Sequence, residues 1–139
     1  MIILDTNIIS EVMRPQPQKK VLSWLNQQDS VNLFVSSISI AEINYGLYVL
    51  PEGKRKQQLQ ARFEQFVNRA FQYRILDFDE QAAEIYGKVM GEGRLIGHPM
   101  SVPDGQIASI ALMNGFIVAT RNVKDFKYCG VEIFNPFEV

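Results

Sequence analysis

Short apolar runs alternate with helical stretches along the whole chain, and that order limits the fold more than any single residue does. Ile2-Ile3-Leu4, Leu33-Phe34-Val35, Arg74-Ile75-Leu76, Phe116-Ile117-Val118-Ala119 and Val131-Glu132-Ile133-Phe134 have the length and side-chain chemistry of strands. Thr6 to Met13 reads as a short helix with Ile8, Ile9 and Val12 on one side, stopped by Arg14-Pro15-Gln16-Pro17. Gln18 to Gln28 is helical, with Val21, Leu22, Trp24 and Leu25 in one stripe. Ser39 opens a helix on which Ile40, Ile43, Leu47 and Leu50 share a face. Pro51-Glu52-Gly53 breaks it, and Lys54 to Ala70 forms its partner in a helical hairpin. Asp79 caps a helix from Glu80 to Gly91, and Gly93 to Pro99 is a loop. Pro103 sits in the first turn of a last helix, which Asn114-Gly115 ends.

Strands separated by helices call for parallel pairing through right-handed crossovers. The expected fold class is α/β, a three-layer α/β/α domain around a central, mostly parallel five-stranded sheet. A chain of 139 residues fits one domain, 1–139. Its net charge of -1 excludes a strongly basic nucleic-acid coat, so any polyanion must be held locally or through metal. The single cysteine, Cys129, rules out an internal disulfide framework and suits a reducing, cytoplasmic setting. The N-terminal apolar run breaks at Asp5 and lacks a basic flank, so it does not read as a signal peptide. Ile107 to Thr120 is interrupted by Asn114 and Gly115 and falls short of a membrane span.

The first strand ends on a carboxylate, Asp5. Open α/β sheets bind their ligands at the carboxyl ends of their strands. Glu42 lies in the first turn of the helix after the second strand, and Asp104 in the first turn of the helix before the fourth. If those strands are neighbours, the three acids project at one sheet edge. Thr120, Arg121 and Asn122 leave the fourth strand at the same edge, with Asp125 close by. Asn7 and Ser39 are placed to orient the acids. Each residue also has a local explanation. Asp5 can cap the helix beginning at Thr6, Ser39-Ile40-Ala41-Glu42 matches a capping box, Asp104 suits a helix dipole, and Asp125 reads as a turn acid. Together the acids favour a hard divalent cation, Mg2+ or Mn2+, which takes oxygen ligands and would neutralise carboxylates in apolar settings.

Leu4-Asp5-Thr6-Asn7, Ser39-Ile40-Ala41-Glu42-Ile43, Pro103-Asp104-Gly105-Gln106-Ile107-Ala108, Ala119-Thr120-Arg121-Asn122 with Asp125-Phe126, and Phe134-Asn135-Pro136-Phe137, in that order, resemble PIN-domain ribonucleases, above all the VapC/FitB-type toxins of bacterial toxin–antitoxin pairs. The resemblance runs through essentially the whole chain. It implies a PIN fold and a Mg2+- or Mn2+-dependent endoribonuclease, with metal-holding acids at Asp5, Glu42 and Asp104. The fourth acidic position of the family falls on Asn122. It also implies a homodimer, a VapB- or FitA-like antitoxin partner that binds DNA, an RNA substrate that for several members is tRNA, and products with a 5′-phosphate and a 3′-hydroxyl.

RNA docking falls to basic side chains: Lys54-Arg55-Lys56, Arg62, Arg121, Lys124 and Lys127. Other chemistries fit less well. The lone histidine, His98, lies in a loop and has no second histidine to work with, and Cys129 has no histidine near it in sequence. No glycine-rich phosphate loop is present. A phosphatase working through an aspartyl-phosphate would want an acid where Asn7 stands. Two rivals remain: a DNA nuclease with the same site chemistry, and a catalytically weak PIN fold serving as a binding module.

Overall fold

The computed structural model describes residues 1–139. In chain order the elements are β1 (Ile2–Leu4), α1 (Thr6–Met13), α2 (Lys19–Gln27), β2 (Leu33–Ser36), α3 (Ser37–Tyr48), α4 (Lys54–Gln65), β3 (Ile75–Leu76), α5 (Glu80–Leu95), α6 (Val102–Asn114), β4 (Ile117–Ala119), α7 (Val123–Phe126) and β5 (Ile133–Phe134). The strands form one five-stranded sheet in the order β3-β2-β1-β4-β5. Every pairing is parallel, so the sheet expected to be mostly parallel is wholly so.

Strand pleating sorts the core into two layers. Ile3 and Val118 face one side, with Ile107, Ala108, Ile110 and Ala111 of α6 and Phe126 of α7. Leu4 and Ala119, their neighbours in sequence, face the other, with Ile8 and Ile9 of α1, Trp24 of α2, Ile43 and Leu47 of α3 and Phe63 of α4. Successive strand residues point to opposite faces, so β1 must be apolar at consecutive positions to feed both cores. The result is the expected three-layer α/β/α arrangement.

The chain winds from β1 through β2 to β3 on one side, then crosses by α5 and α6 to β4 and β5 on the other. The reversal falls between β1 and β4, where such sheets open a crevice at their carboxyl edge. Asp5 continues the ladder there through its N–H to the Ala119 carbonyl (2.9 Å), and Thr120 through its N–H to the Phe134 carbonyl (2.9 Å).

Several expected boundaries shift. Helix α3 begins at Ser37, two residues before Ser39, and its N-cap is Ser36, whose Oγ accepts the Ser39 N–H. The strand residue itself is the cap, so no loop separates β2 from α3. Helix α4 stops at Gln65 and widens into a π-turn from Phe66 to Ala70. Helix α5 runs on through Gly91 and Gly93 to Leu95, shortening the expected loop. Strand β5 covers only Ile133 and Phe134, and α7 has no counterpart among the elements expected from the sequence.

Candidate metal-dependent active site

The carboxyl edge of β1 and β4 carries a pocket of about 530 Å3 lined wholly by polar residues, among them Asp5, Glu42, Asp104, Arg121 and Asn122. The topology therefore brings the three acids singled out from the sequence to one cavity. They enter it differently. Asp5 is 3% exposed, Asp104 is half-buried at the start of α6, and Glu42 stands exposed on α3.

Asp5 is held on both oxygens. Its Oδ1 accepts the Thr6 N–H (2.8 Å), capping α1. Its Oδ2 accepts the Thr120 hydroxyl (2.8 Å) and the Asn7 side-chain amide (3.0 Å). Thr120 Oγ1 in turn accepts the Asn122 backbone N–H (2.9 Å), while Asn7 Oδ1 accepts that of Arg121 (3.2 Å). Asp5 is thus both a cap and the centre of a network joining β1 to the exit of β4. Burial pushes its carboxyl up to about 6, against the hydrogen bonds from Thr120 and Thr6, and the charges of Asp104 and Glu42 push the same way. Asp104 is raised too, first by burial and then by Asp125 and Glu42, while the Ser101 hydroxyl at its helix start opposes this.

Glu42 takes no part in a capping box. Its Oε1 accepts the Thr6 hydroxyl (2.7 Å), and that hydroxyl also lies 2.9 Å from Ser39 Oγ. Neither ion pair in the molecule involves Asp5, Glu42 or Asp104. No three acidic, histidine or cysteine side chains stand close enough to hold one ion without side-chain rearrangement. Glu42 is the least held of the three: it is exposed, and the Thr6 hydroxyl alone bonds its carboxylate. The donor chemistry, oxygen atoms only with mutual repulsion among carboxylates, fits a hard cation.

The remaining expected residues divide. Ser39 is buried against Thr6 beneath Glu42. Asn122 reaches the pocket but makes no side-chain cap bond to α7. Asp125 is exposed outside the cavity, near enough to raise Asp104. Arg121 lines the cavity, its guanidinium 4.7 Å from the Phe137 ring. Arg55 and Arg62 line an adjoining groove of about 460 Å3 between α1, α3 and α4, which shares Thr6, Ser10, Arg14 and Glu42 with the acidic cavity. Lys54 is exposed and lines neither, and Lys124 borders a separate cavity with His98 and Tyr128. Lys56 is not a docking residue: it is buried, and its Nζ donates to the Tyr48 carbonyl (2.8 Å) and Glu52 (2.7 Å).

Thr6, Ser10, Glu11 and Arg14 line the cavity without having been singled out as site residues, and the last two form a pair. Glu11 is 4% exposed and accepts from Arg14 Nη1 (3.2 Å) and the Gln18 N–H (3.2 Å), bracing the Pro15–Pro17 turn. Arg14 borders both cavities. Their three-residue helical spacing was the available signal.

A model of the PIN domain matches residues 2–129. The chain belongs to the PIN-domain family. Across 138 residues, 99% of each chain, this PIN domain is 40% identical to VapC ribonuclease Y4jK of Sinorhizobium fredii. It is 39% identical to toxin FitB of Neisseria gonorrhoeae over 99% of both chains. The crystal structure of FitAcB from Neisseria gonorrhoeae superposes with a TM-score of 0.94 at full coverage of both chains and 39% identity. That of VapBC2 from Rickettsia felis, bound to a DNA fragment from its promoter, does so at 0.82 with 29% identity, covering 97% of this PIN domain and 98% of the other chain.

Proposed function

We propose that this PIN domain is the ribonuclease toxin of a toxin–antitoxin pair, a divalent-metal-dependent endoribonuclease restrained by a VapB- or FitA-like antitoxin. The observation that carries the reading is the placement of Asp5, Glu42 and Asp104 around one polar cavity at the β1/β4 crevice. Full-length identity of 40% to a VapC ribonuclease supports RNA as the substrate. No helix is long and apolar enough to cross a membrane.

Asp5, Asp104 and Glu42 are the residues that would hold Mg2+ or Mn2+. When bound, such a cation neutralises phosphate charge and lowers the pKa of water. The chain's own groups do the rest. Thr120 and Asn7 hold Oδ2 of Asp5 and the Thr6 N–H holds Oδ1, which fixes the carboxylate at the cavity wall. Their donated hydrogen bonds also favour its ionised form, which binding requires. Arg121 and Arg14 stand at the cavity to meet phosphate oxygens as the acids are neutralised. Homodimerisation belongs to the same reading.

Purified protein is incubated with tRNA, unstructured RNA and single-stranded DNA, in Mg2+, Mn2+ or chelator. RNA cut only with metal, and left intact by Asp5→Asn, is the expected result. Cleavage of DNA in preference to RNA supports the DNA-nuclease rival. Intact RNA under every metal condition overturns the nuclease reading in favour of a binding module.

A further inference from the structure

His98 and Tyr128, from separate loops, stack with ring centroids 3.9 Å apart and an interplanar angle of 17°. The histidine is built into position. Helix α5 ends with the Gly97 N–H on the Arg94 carbonyl and the His98 N–H on the Gly93 carbonyl (2.8 Å), with Gly97 left-handed at φ 81°. A Cβ on Gly93 would come within 2.9 Å of the His98 carbonyl oxygen, so that approach requires glycine. Yet the stacked pair is not core: His98 is exposed and Tyr128 is 50% exposed.

Positive charge surrounds these rings. The Lys127 ammonium is 5.5 Å from the Tyr128 centroid. Lys124 and Asp125 line a cavity of about 240 Å3 with both rings and Cys129. That is below the ~300–1,000 Å3 of sites for drug-sized ligands, which suits a single planar group. Asn122, at the start of α7, lines the acidic cavity, and Lys124 and Asp125, two and three residues further on in the same helix, line this one, so the two cavities flank α7.

We propose that the His98–Tyr128 pair is a stacking platform for one unpaired nucleobase of the RNA, next to the bond that is cut. Bases splayed out of single-stranded RNA stack on aromatic side chains. Lys124 and Lys127 offset the charge of the adjoining phosphates. Asp125 can accept from the exocyclic amino group of the stacked base. The platform would thereby set where along a strand the acidic cavity cuts.

This inference rests on the ribonuclease reading, and the test separates the two. The bond cut by the wild type is mapped on a single-stranded RNA, which is then made with one abasic sugar at each flanking position in turn. Tyr128→Ala is expected to lower kcat/KM on the intact RNA between about 5- and 150-fold, mainly through KM. Tyr128→Phe, which keeps the ring, should retain wild-type cleavage. At one position the abasic RNA should cost the wild type a similar factor, and Tyr128→Ala should add no further loss there. His98→Ala supplies the same cycle should Tyr128→Ala fail to fold. Losses that multiply at every position, or a Tyr128→Phe defect as large as that of Tyr128→Ala, overturn the platform. Efficient cleavage by Tyr128→Ala removes the platform alone. A wild type that cuts none of these RNAs overturns the ribonuclease reading, and the platform with it.

Discussion

Thr120 donates its hydroxyl proton to Asp5 Oδ2 at 2.8 Å, across 115 positions of sequence. The bond is buried at the crevice between β1 and β4, and it opposes the desolvation that holds the Asp5 carboxyl near 6. Thr120→Val keeps the shape and removes the donor. Asp5 should then titrate higher still, and Asn7 would be its remaining side-chain donor. The expected outcome is a stability loss of about 1–3 kcal/mol and weaker Mg2+ binding at neutral pH. Thr120→Ser should behave like the wild type. Calorimetric titration with Mg2+ alongside thermal melting checks both.

Asp5 makes the metal-free protein pay for its site. Its carboxyl titrates near 6 in the folded chain and at about 3.9 when unfolded, so between those values the folded state holds the extra proton. The stabilisation from that proton is fully present below about pH 4 and is lost as pH rises through about 6. The gap is worth about 3 kcal/mol. Asp5→Asn should therefore melt higher than the wild type in chelator at pH 7. The net gain is about 1–2 kcal/mol after about 1 kcal/mol for the acceptor that Asn lacks. In the same protein, cleavage should vanish. A lower melting point for Asp5→Asn at pH 7 would contradict the desolvation account.

The same proton competes with the cation. If the acids hold metal as proposed, Asp5 must be ionised, so apparent Mg2+ affinity should fall at least about tenfold per pH unit below about 6, more steeply where Asp104 also takes up a proton. Isothermal titration between pH 5 and 8 gives the profile. A flat profile would mean that Asp5 is not a ligand.

Glu42 shows what sequence could and could not decide. The S-x-x-E pattern at Ser39 and a metal-ligand role were both legible, and only tertiary structure separates them. Ser36 pairs with Leu76 of β3 and caps α3 directly, so Ser39 is left to pack against Thr6. The β/α alternation implied a parallel sheet but not its strand order, so the meeting of Asp5, Glu42 and Asp104 hung on whether β1, β2 and β4 are neighbours, as the order β3-β2-β1-β4-β5 makes them. Four-residue α7 is too short to show a period. Lys56 looked like a docking cation because the Tyr48 carbonyl that captures it lies eight residues away on another helix. Glu42→Gln should accordingly leave the fold within ±0.5 kcal/mol, since an amide oxygen still accepts from Thr6, while cleavage collapses. Ser36→Ala should do the reverse, costing ~1 kcal/mol of stability with the remaining folded protein active. Melting curves and cleavage rates on the two variants distinguish cap from ligand.

Gly105 follows Asp104 and is buried where α6 crosses α5. A Cβ there would lie 2.3 Å from Met90 Sδ and 3.2 Å from Tyr86 Cε2. The Met90 side chain can swing away, but the tyrosine ring is packed edge-on against Phe78 and yields less. Gly105→Ala should therefore cost about 1–3 kcal/mol through overpacking, partly offset by the better helix propensity of alanine, ~1 kcal/mol. The strain falls at the first turn of α6, which aims Asp104 at the cavity, so cleavage should drop by more than the lost folded fraction explains. Pairing the change with Met90→Ala opens the space the new methyl needs. If the double variant regains cleavage while remaining less stable than the wild type, the close α5–α6 approach at Gly105 is what sets the position of Asp104. If cleavage stays low, displacement of α6 by this contact is not the cause.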